Sequence, residues 1–502
     1  MSITGNLFNL SLDDINYNID TDLVGNGSFG AVYKATLKGL RVAIKIPHND
    51  MNCEEVTSYL KEMEIMKESH SPNVVLFIGV VPSDTKPLFV TEFVSCNLNR
   101  FIHERDKLPN GYSKLPLDCY SKVDLFYQCC LGIQWLHNKL NIIHRDIKPS
   151  NFLIDEKEQV KVCDFGFAVK VTKKKGDMKC TPLYAAPEVL ESKKAIGKES
   201  DIYSLAMTGY ELFYEKEPFF EHNEIDNIDI LLRELKNGIR PILPHRVLNT
   251  KNCPSDIVDM MKIHFEDLID QIPSDADNIF NTAWDSDVKK RPDINKLVDT
   301  IRLLKMKSAK LDDSAVEFWN KNFLKNGRYV FSVYTEQFVE VILKLVKPKK
   351  CNTNVLIDNL GKSGEVDLKR FQFLILQFGN FYEDKKAFEK MEEVFEADWW
   401  FGKITMNDTL KQLKDQEDGV FLVRESNRLY DYPFTISLKE NGNTIHIRLG
   451  AKREDKKNDV LYYFNLKTVV VKKNTIGEML DELKKRKRIT YACPREIVDT
   501  IY

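Results

Sequence analysis

No apolar run in the 502 residues reaches the 18 or so that a membrane span needs. The start, Met-Ser-Ile-Thr-Gly-Asn, lacks a basic-then-apolar signal. A membrane-spanning protein or a secreted precursor is therefore not expected; a cytoplasmic protein is, with any membrane contact peripheral. An excess of either charge sign is missing too. The 73 Lys and Arg face 75 Asp and Glu, a formal net charge of −2, so there is no global reason to expect nucleic acid as a partner. Ten cysteines are scattered with no C-x-x-C pair, and Cys129 and Cys130, as neighbours, cannot easily bridge. Free buried thiols in a reducing compartment are expected rather than a disulfide framework. What is present is ordinary for a globular protein: 43% hydrophobic and 29% charged residues, and length enough for about three domains.

The stretch that organises the rest is His144-Arg-Asp-Ile-Lys-Pro-Ser-Asn151, set between the apolar runs Leu140 to Ile143 and Phe152 to Ile154. One carboxylate, two cations and one carboxamide at fixed spacing resemble the catalytic loop of eukaryotic protein kinases. That resemblance implies three roles. Asp146 would accept the proton of a substrate hydroxyl, Lys148 would neutralise charge on the transferred phosphoryl group, and Asn151 would hold a magnesium (or manganese) ion.

Upstream, Val24-Gly25-Asn26-Gly27-Ser28-Phe29-Gly30 leads within two residues to Val32 and on through strand-like residues to Leu37. The glycines therefore join two strands, not a strand and a helix, which favours a kinase phosphate loop over a dinucleotide site. In Arg41-Val-Ala-Ile-Lys-Ile46, strand alternation puts Ala43 and Lys45 on one face and Val42 and Ile44 on the other. Lys45 resembles the lysine that pairs with the α- and β-phosphates of ATP. Its partner is expected on the next helix: Glu62 shares an apolar face with Tyr59 and Met66, whereas Glu64 lies between Lys61 and Lys67. Leu88 to Val94 resembles the strand entering the hinge, with Thr91 as gatekeeper and Glu92 to Val94 offering backbone groups to adenine.

Downstream, Asp164-Phe165-Gly166 follows Asp146 by 18 residues, and Asp164 resembles the aspartate that binds the bridging metal. Ala186-Pro187-Glu188, Asp201 to Ala206 and Arg291-Pro292 continue the resemblance over about Asp13 to Leu304, with Arg291 expected to pair with Glu188. Ile147-Lys-Pro-Ser150 and Cys180-Thr-Pro-Leu-Tyr-Ala185 resemble serine/threonine kinases, and Thr181 resembles the threonine that contacts the catalytic aspartate and lysine. Val75 to Gly79 resembles the tyrosine-kinase-like group, some of whose members have dual specificity. Thr172, among Lys170, Lys173, Lys174, Lys175 and Lys179, and Thr181 are candidate phosphosites, with Arg145 as a ready cation; a solvated lysine run reads equally well. The acidic stretch 266–287 has no assigned role.

Residues 306–395 read as helical, with Val333-Tyr-Thr-Glu-Gln-Phe338 and Val366-Asp-Leu-Lys-Arg-Phe371 repeating 33 residues apart. This resembles a degenerate EF-hand pair. The second loop would set Asn359 at position 1, Gly361 at 3 and Arg370 at 12, so it lacks the carboxylates calcium needs. A plain helical linker is the alternative.

From Trp400 the chain resembles a Src-homology-2 domain: Val420, Leu422 and Arg424 share a strand face ahead of Ser426. The resemblance implies that Arg424 and Ser426 bind phosphotyrosine. Two departures stand out: the arginine usual on the first helix is Met406, and the histidine usual in the fourth strand reads as Thr444, with His446 two residues on. The basic run Lys484-Lys-Arg-Lys-Arg488 is either a solvated helix end or a contact to anionic membrane. Together the modules resemble amoebozoan kinases that join a tyrosine-kinase-like catalytic domain to a C-terminal Src-homology-2 domain. The expected architecture is multidomain α+β. It comprises a bilobal kinase fold (1–305), a helical linker (306–395) and a central antiparallel sheet between two helices (396–502). The expected activity is that of an ATP- and Mg2+-dependent serine/threonine kinase acting on proteins and directed by phosphotyrosine proteins, with dual specificity left open. An inactive adaptor is the rival reading.

Overall fold

The computed structural model describes residues 8–26, 30–48, 53–108, 112, 117–171, 180–191, 196–222, 227–249, 255–269, 272–309, 311–324, 330–361, 364–426, 432–453, 460–466 and 469–494. The chain divides into two compact units, Met1–Ser308 and Ala309–Tyr502. Among the described residues, no helix is long and apolar enough to cross a membrane.

The first unit opens with β1 (Ile15–Asn16), β2 (Leu23–Asn26), β3 (Gly30–Leu37), β4 (Leu40–Pro47), β5 (Phe77–Val81) and β6 (Leu88–Glu92). They form an antiparallel sheet in the order β1-β3-β4-β6-β5, with β2 on β3. The alternation in β4 decides its two faces. Val42 and Ile44 are fully buried with Ala35 and Val90, each worth roughly 1.5–3 kcal/mol of burial. Ala43 and Lys45 look the other way. Helix α1 (Cys53–Glu68) lies between β4 and β5 in the chain.

After β7 (Cys96–Asn97) the unit turns helical. The core helices are α2 (Cys119–Trp135), α3 (Lys198–Tyr214) and α4 (Ile294–Ser308). Nearly every residue of α3 is buried, as an apolar helix hidden on all sides must be. Short strands β8 (Ile142–Ile143), β9 (Phe152–Ile154), β10 (Val160–Val162) and β11 (Val169–Lys170) bracket the His144–Asn151 loop, with β10-β9-β7 and β11-β8 as pairs and ladders. Arg291 donates to both oxygens of Glu188, at 2.6 and 3.0 Å.

The second unit groups the helical segment 309–395 with the C-terminal sheet. Helices α5 (Asp313–Phe323) and α6 (Thr335–Val346) flank β12 (Ser332–Tyr334), and α7 (Thr353–Leu360) and α8 (Leu368–Phe378) flank β13 (Glu365–Asp367). The two copies of the 33-residue repeat are the segments that pair, Val333 directly opposite Val366. Helix α9 (Lys385–Glu396) follows. Then come α10 (Met406–Leu413), the sheet β14 (Phe421–Glu425), β15 (Phe434–Glu440), β16 (Asn443–Arg453), β17 (Val460–Leu466), β18 (Val469–Lys473), and α11 (Ile476–Lys485).

Residues 309–395 pack onto this sheet and do not stand apart from it. Phe371, Phe373, Leu374, Ile375 and Phe378 are all buried around α8, an apolar surface too wide for one neighbour to cover. Arg370 donates to both oxygens of Glu425 (3.0 and 2.8 Å) and to the carbonyls of Leu360 and Asn359. Trp400 Nε1 donates to Asn359 Oδ1 at 2.8 Å, and the Tyr462 hydroxyl to the Gln377 carbonyl at 2.6 Å. The side chains at both ends of the second loop, Asn359 and Arg370, are thus spent on packing.

Candidate functional site

The ladder of the first sheet collects one set of side chains on one face. Val32 lies opposite Lys45, and Ala43 opposite Thr91; directly paired residues project to the same side. This is the face of the expected nucleotide residues. Val24, Gly25 and Asn26 lie on β2. Gly30 starts β3 so close to β4 that a Cβ would sit 2.4 Å from the Ile46 carbonyl oxygen. Gly27, Ser28, Phe29 and Thr172 fall outside the described residues. Glu92 has its carboxylate tied to the Leu76 N–H (2.8 Å) and Lys161 (2.9 Å), which leaves the backbone from Glu92 to Val94 as the hinge's contribution.

Lys45 Nζ sits 2.9 and 3.1 Å from the Glu62 carboxylate and 3.2 Å from Asp164 Oδ1. Glu62 is buried on α1, while Glu64 is exposed. Burial by itself would lower the lysine's pKa, but Glu62 and Asp164 outweigh it and hold the ammonium above its ordinary value. Burial likewise pushes Asp164 up, and Lys45 overrides it to hold the carboxylate below its usual range. Lys45 and Asp164 are thus both ionised at neutral pH.

The loop is as tightly built. Asn151 Nδ2 donates to the Asp146 carbonyl (2.7 Å) and to Asp146 Oδ2 (2.9 Å). Lys148 Nζ lies 2.9 Å from Asp146 Oδ2 and donates to Thr181 Oγ1 at 2.7 Å. Thr181 Oγ1 donates to Asp146 Oδ1, also at 2.7 Å. Arg145 and Asp164 hold positive φ, +72° and +60°, a conformation costing roughly 1–2 kcal/mol for a residue with a Cβ. Asp201 offsets it at the first turn, accepting from the backbone N–H of His144 (2.8 Å) and Arg145 (3.0 Å) and facing His137 Nε2 (2.8 Å). Burial would raise the Asp201 pKa, but His137, the nearby His144 and the Arg145 amide hold it low. Nothing in the sequence pointed to His137, because its partner lies 64 residues away.

ATP and magnesium fit this donor set. Asp164 and Asn151 would supply one carboxylate and one amide oxygen, and Mg2+ characteristically takes one or two protein oxygens and fills the rest with phosphates and water. Among the described residues no cluster of three or more His, Cys, Asp or Glu forms a self-sufficient metal cage.

In the second unit Arg424 is 4% exposed at the end of β14. Its partners among the described residues are the Glu425 carbonyl (3.0 Å) and the Met406 sulfur (3.7 Å), neither of them charged, and its Nε has no partner. Burial lowers the pKa of this guanidinium. Leu422, Ser437 and His446 form one row across β14-β15-β16, and Arg424, Thr435 and Arg448 the next. Ser426 directly follows β14, its N–H donating to the Pro433 carbonyl at 3.0 Å.

The protein kinase domain family matches residues 19–301, and the SH2 domain family residues 399–473. The chain belongs to the protein kinase family. It is 30% identical to the dual specificity protein kinase shkE of Dictyostelium discoideum over 96% of this chain and 66% of that protein. Against shkC of the same organism it is 27% identical, over 93% of this chain and 89% of that one. The serine/threonine-protein kinase CTR1 of Arabidopsis thaliana is 36% identical over 39% of this chain and 24% of its own length. The chain thus spans about two thirds of the first relative.

The SH2 pocket of this kinase corrects one expectation. Thr444 lies opposite Lys439, away from Arg424, whereas His446 faces the pocket with Arg448 one row on. Burial, then the cations of Arg424 and Arg448, lower the His446 pKa, which puts its imidazole among them. The strand register was the missing signal: an offset of two keeps the face but moves the residue about 7 Å along the strand. The basic run is also less bare than its composition. Lys484 meets Asp481, Arg486 meets Glu482, and Arg488 donates to both oxygens of Glu440.

Proposed function

We propose that the chain transfers the γ-phosphate of ATP to serine and threonine hydroxyls of proteins, with tyrosine as a lesser acceptor, and that its SH2 domain directs it to phosphotyrosine proteins. The observation that carries the acceptor class is the Thr181 hydroxyl held 2.7 Å from both Asp146 Oδ1 and Lys148 Nζ. A short side-chain hydroxyl already sits where a serine or threonine would present its own. Asp146 takes the acceptor hydroxyl's proton as the acceptor oxygen bonds to the γ-phosphorus, the bond from that phosphorus to the β-phosphate oxygen breaks and ADP leaves, and Lys148 screens the charge that builds on the transferred group. Lys45, pinned by Glu62, orients the α- and β-phosphates. Asp164 and Asn151 would hold magnesium, which when bound would supply positive charge against the phosphate oxygens. The relatives' designation as dual specificity kinases supports tyrosine as the second acceptor.

Phosphoamino-acid analysis of a general protein substrate tests the reading: phosphoserine and phosphothreonine should dominate, and a mostly phosphotyrosine product would overturn it. The adaptor alternative predicts no transfer at all, against which Lys45, Asp146, Asn151 and Asp164 all stand. For the second site, Arg424, Ser426, His446 and Arg448 are the proposed phosphate ligands, supported by a buried Arg424 guanidinium that has no charged partner among the described residues and whose Nε is unsatisfied. A cytoplasmic location is proposed as well, supported by the free thiols of Cys96, Cys129 and Cys130 in the core.

A further inference from the structure

The protein kinase family match begins at residue 19, yet residues 8–10 are built into the catalytic lobe. The Leu10 N–H donates to the Val80 carbonyl, and the Val80 N–H to the Phe8 carbonyl, each at 2.8 Å. Asn9 thereby pairs in parallel with Val80 on β5, the edge of an otherwise antiparallel sheet. Gly79 makes room for this. A Cβ there would lie 2.6 Å from the Phe8 carbonyl oxygen and 2.7 Å from Leu10 Cδ1. Leu10 packs against the buried cluster of Ile15, Ala35, Val42, Ile44 and Val90.

The row across the sheet leads straight to the catalytic lysine. Asn9 pairs with Val80, Val80 with Phe89, and Phe89 with Lys45. A chain of rings runs alongside. Phe8 and Phe77 have centroids 5.7 Å apart, Phe77 and Phe89 6.4 Å, and Phe89 is stacked on Tyr59 of α1 at 4.1 Å. The Tyr59 hydroxyl donates to the Lys45 carbonyl at 3.3 Å. At the other end of α1, Lys67 Nζ sits 4.8 Å above the Phe8 ring. Glu62 lies between these two anchors.

We propose that residues 8–10 are a strap that sets the position of α1, and through it the Glu62–Lys45 pair, with Phe8 as its positioning residue. The inference rests on the kinase reading of that pair. Covering an exposed sheet edge would account for the backbone bonds alone; it does not account for a ring that reaches both the last turn of α1 and the aromatic chain to Lys45.

The test uses the full chain. Phe8→Ala should lower kcat/KM for ATP about tenfold, from the lost ring and cation contacts. ADP affinity should weaken severalfold, and adenosine affinity should hold, because adenosine has no phosphate for Lys45 to grip. Phe8→Tyr should restore all three. Lys67→Gln, an exposed change that cannot unfold the lobe, should move ADP but not adenosine in the same direction by about two- to threefold. Equal losses for ADP and adenosine, or no loss in either variant, would overturn the strap. Wild-type chain that binds ADP without transferring phosphate would instead overturn the kinase reading, and the ADP-to-adenosine comparison would still judge the strap.

Discussion

Lys45, half-buried, and Arg424, buried, are both cations proposed to meet a phosphate, and they are held in opposite ways. Lys45 is clasped by two carboxylates, Glu62 and Asp164. Arg424 is left with a carbonyl, a thioether and an orphaned Nε. The first arrangement stabilises a charge in place before any ligand arrives, which suits chemistry that is mostly positioning. The second leaves a desolvated charge whose full partner comes only with the ligand, so much of the ligand's binding energy is relief of that penalty. On the proposed function, the chain thus pairs a preformed site for turnover with an unsatisfied one for recognition.

The comparison is tested most severely in the first unit. Asp146→Asn and Lys45→Met should each lower kcat by about 10³-fold or more. Lys45→Met should also lower the unfolding midpoint of the kinase unit, because Glu62 and Asp164 lose their shared cation; turnover assays and calorimetry on the purified variants check both. Next in size is the paired cation beside the recognition site. Arg370→Met strands Glu425, buried next to Arg424, and should cost the second unit roughly 3–5 kcal/mol, read by denaturant unfolding.

Arg424→Lys should weaken phosphotyrosine-peptide binding by about 3 kcal/mol, since an ammonium cannot copy the planar fork. Unlike Lys45→Met, it should leave the unfolding midpoint unchanged or raise it, and a clear drop would erase the contrast drawn between the two cations. Met406→Arg supplies the second guanidinium and should tighten binding by about tenfold, measured by peptide titration. The smallest effect is with pH. His446 is held low by burial and by Arg424 and Arg448, so it is neutral at pH 7 without ligand. A bound phosphate reverses the surrounding charge and raises its pKa, so binding takes up a proton. Affinity should then rise about two- to threefold as pH falls from 8 to 6.5, and fall again once the phosphate itself protonates near pH 6. His446→Gln should flatten that rise.

The contrast between Lys45 and Arg424 was only half legible in the chain. Val42-Ala-Ile-Lys45 announced a lysine facing away from an apolar core, and Glu62 announced itself by sharing a face with Tyr59 and Met66. Both signals are local periods, readable because neighbours in sequence are neighbours in space. The same reasoning failed at the recognition site. Met406 and Arg424 stand out as residue types, but nothing local distinguishes His446 from Thr444, because the β15–β16 register is a long-range pairing that no local pattern reports.

What the sequence by itself determined is the list of chemical groups and their spacing along the loops: Asp146, Lys148 and Asn151 within six residues, Asp164 eighteen on, and Arg424 at the end of an inward strand face. Short-range geometry follows from such spacing, because the backbone offers few conformations between close residues. Tertiary structure alone decided which distant groups would complete them. It brought Asp201 and His137 under the catalytic loop, Arg370 onto Glu425, Arg448 into the row of Arg424 across Thr435, and Phe8 into reach of α1. Each of these contacts depends on how whole helices and sheets bury their apolar faces, and that burial is a property of the packed chain, not of any segment within it.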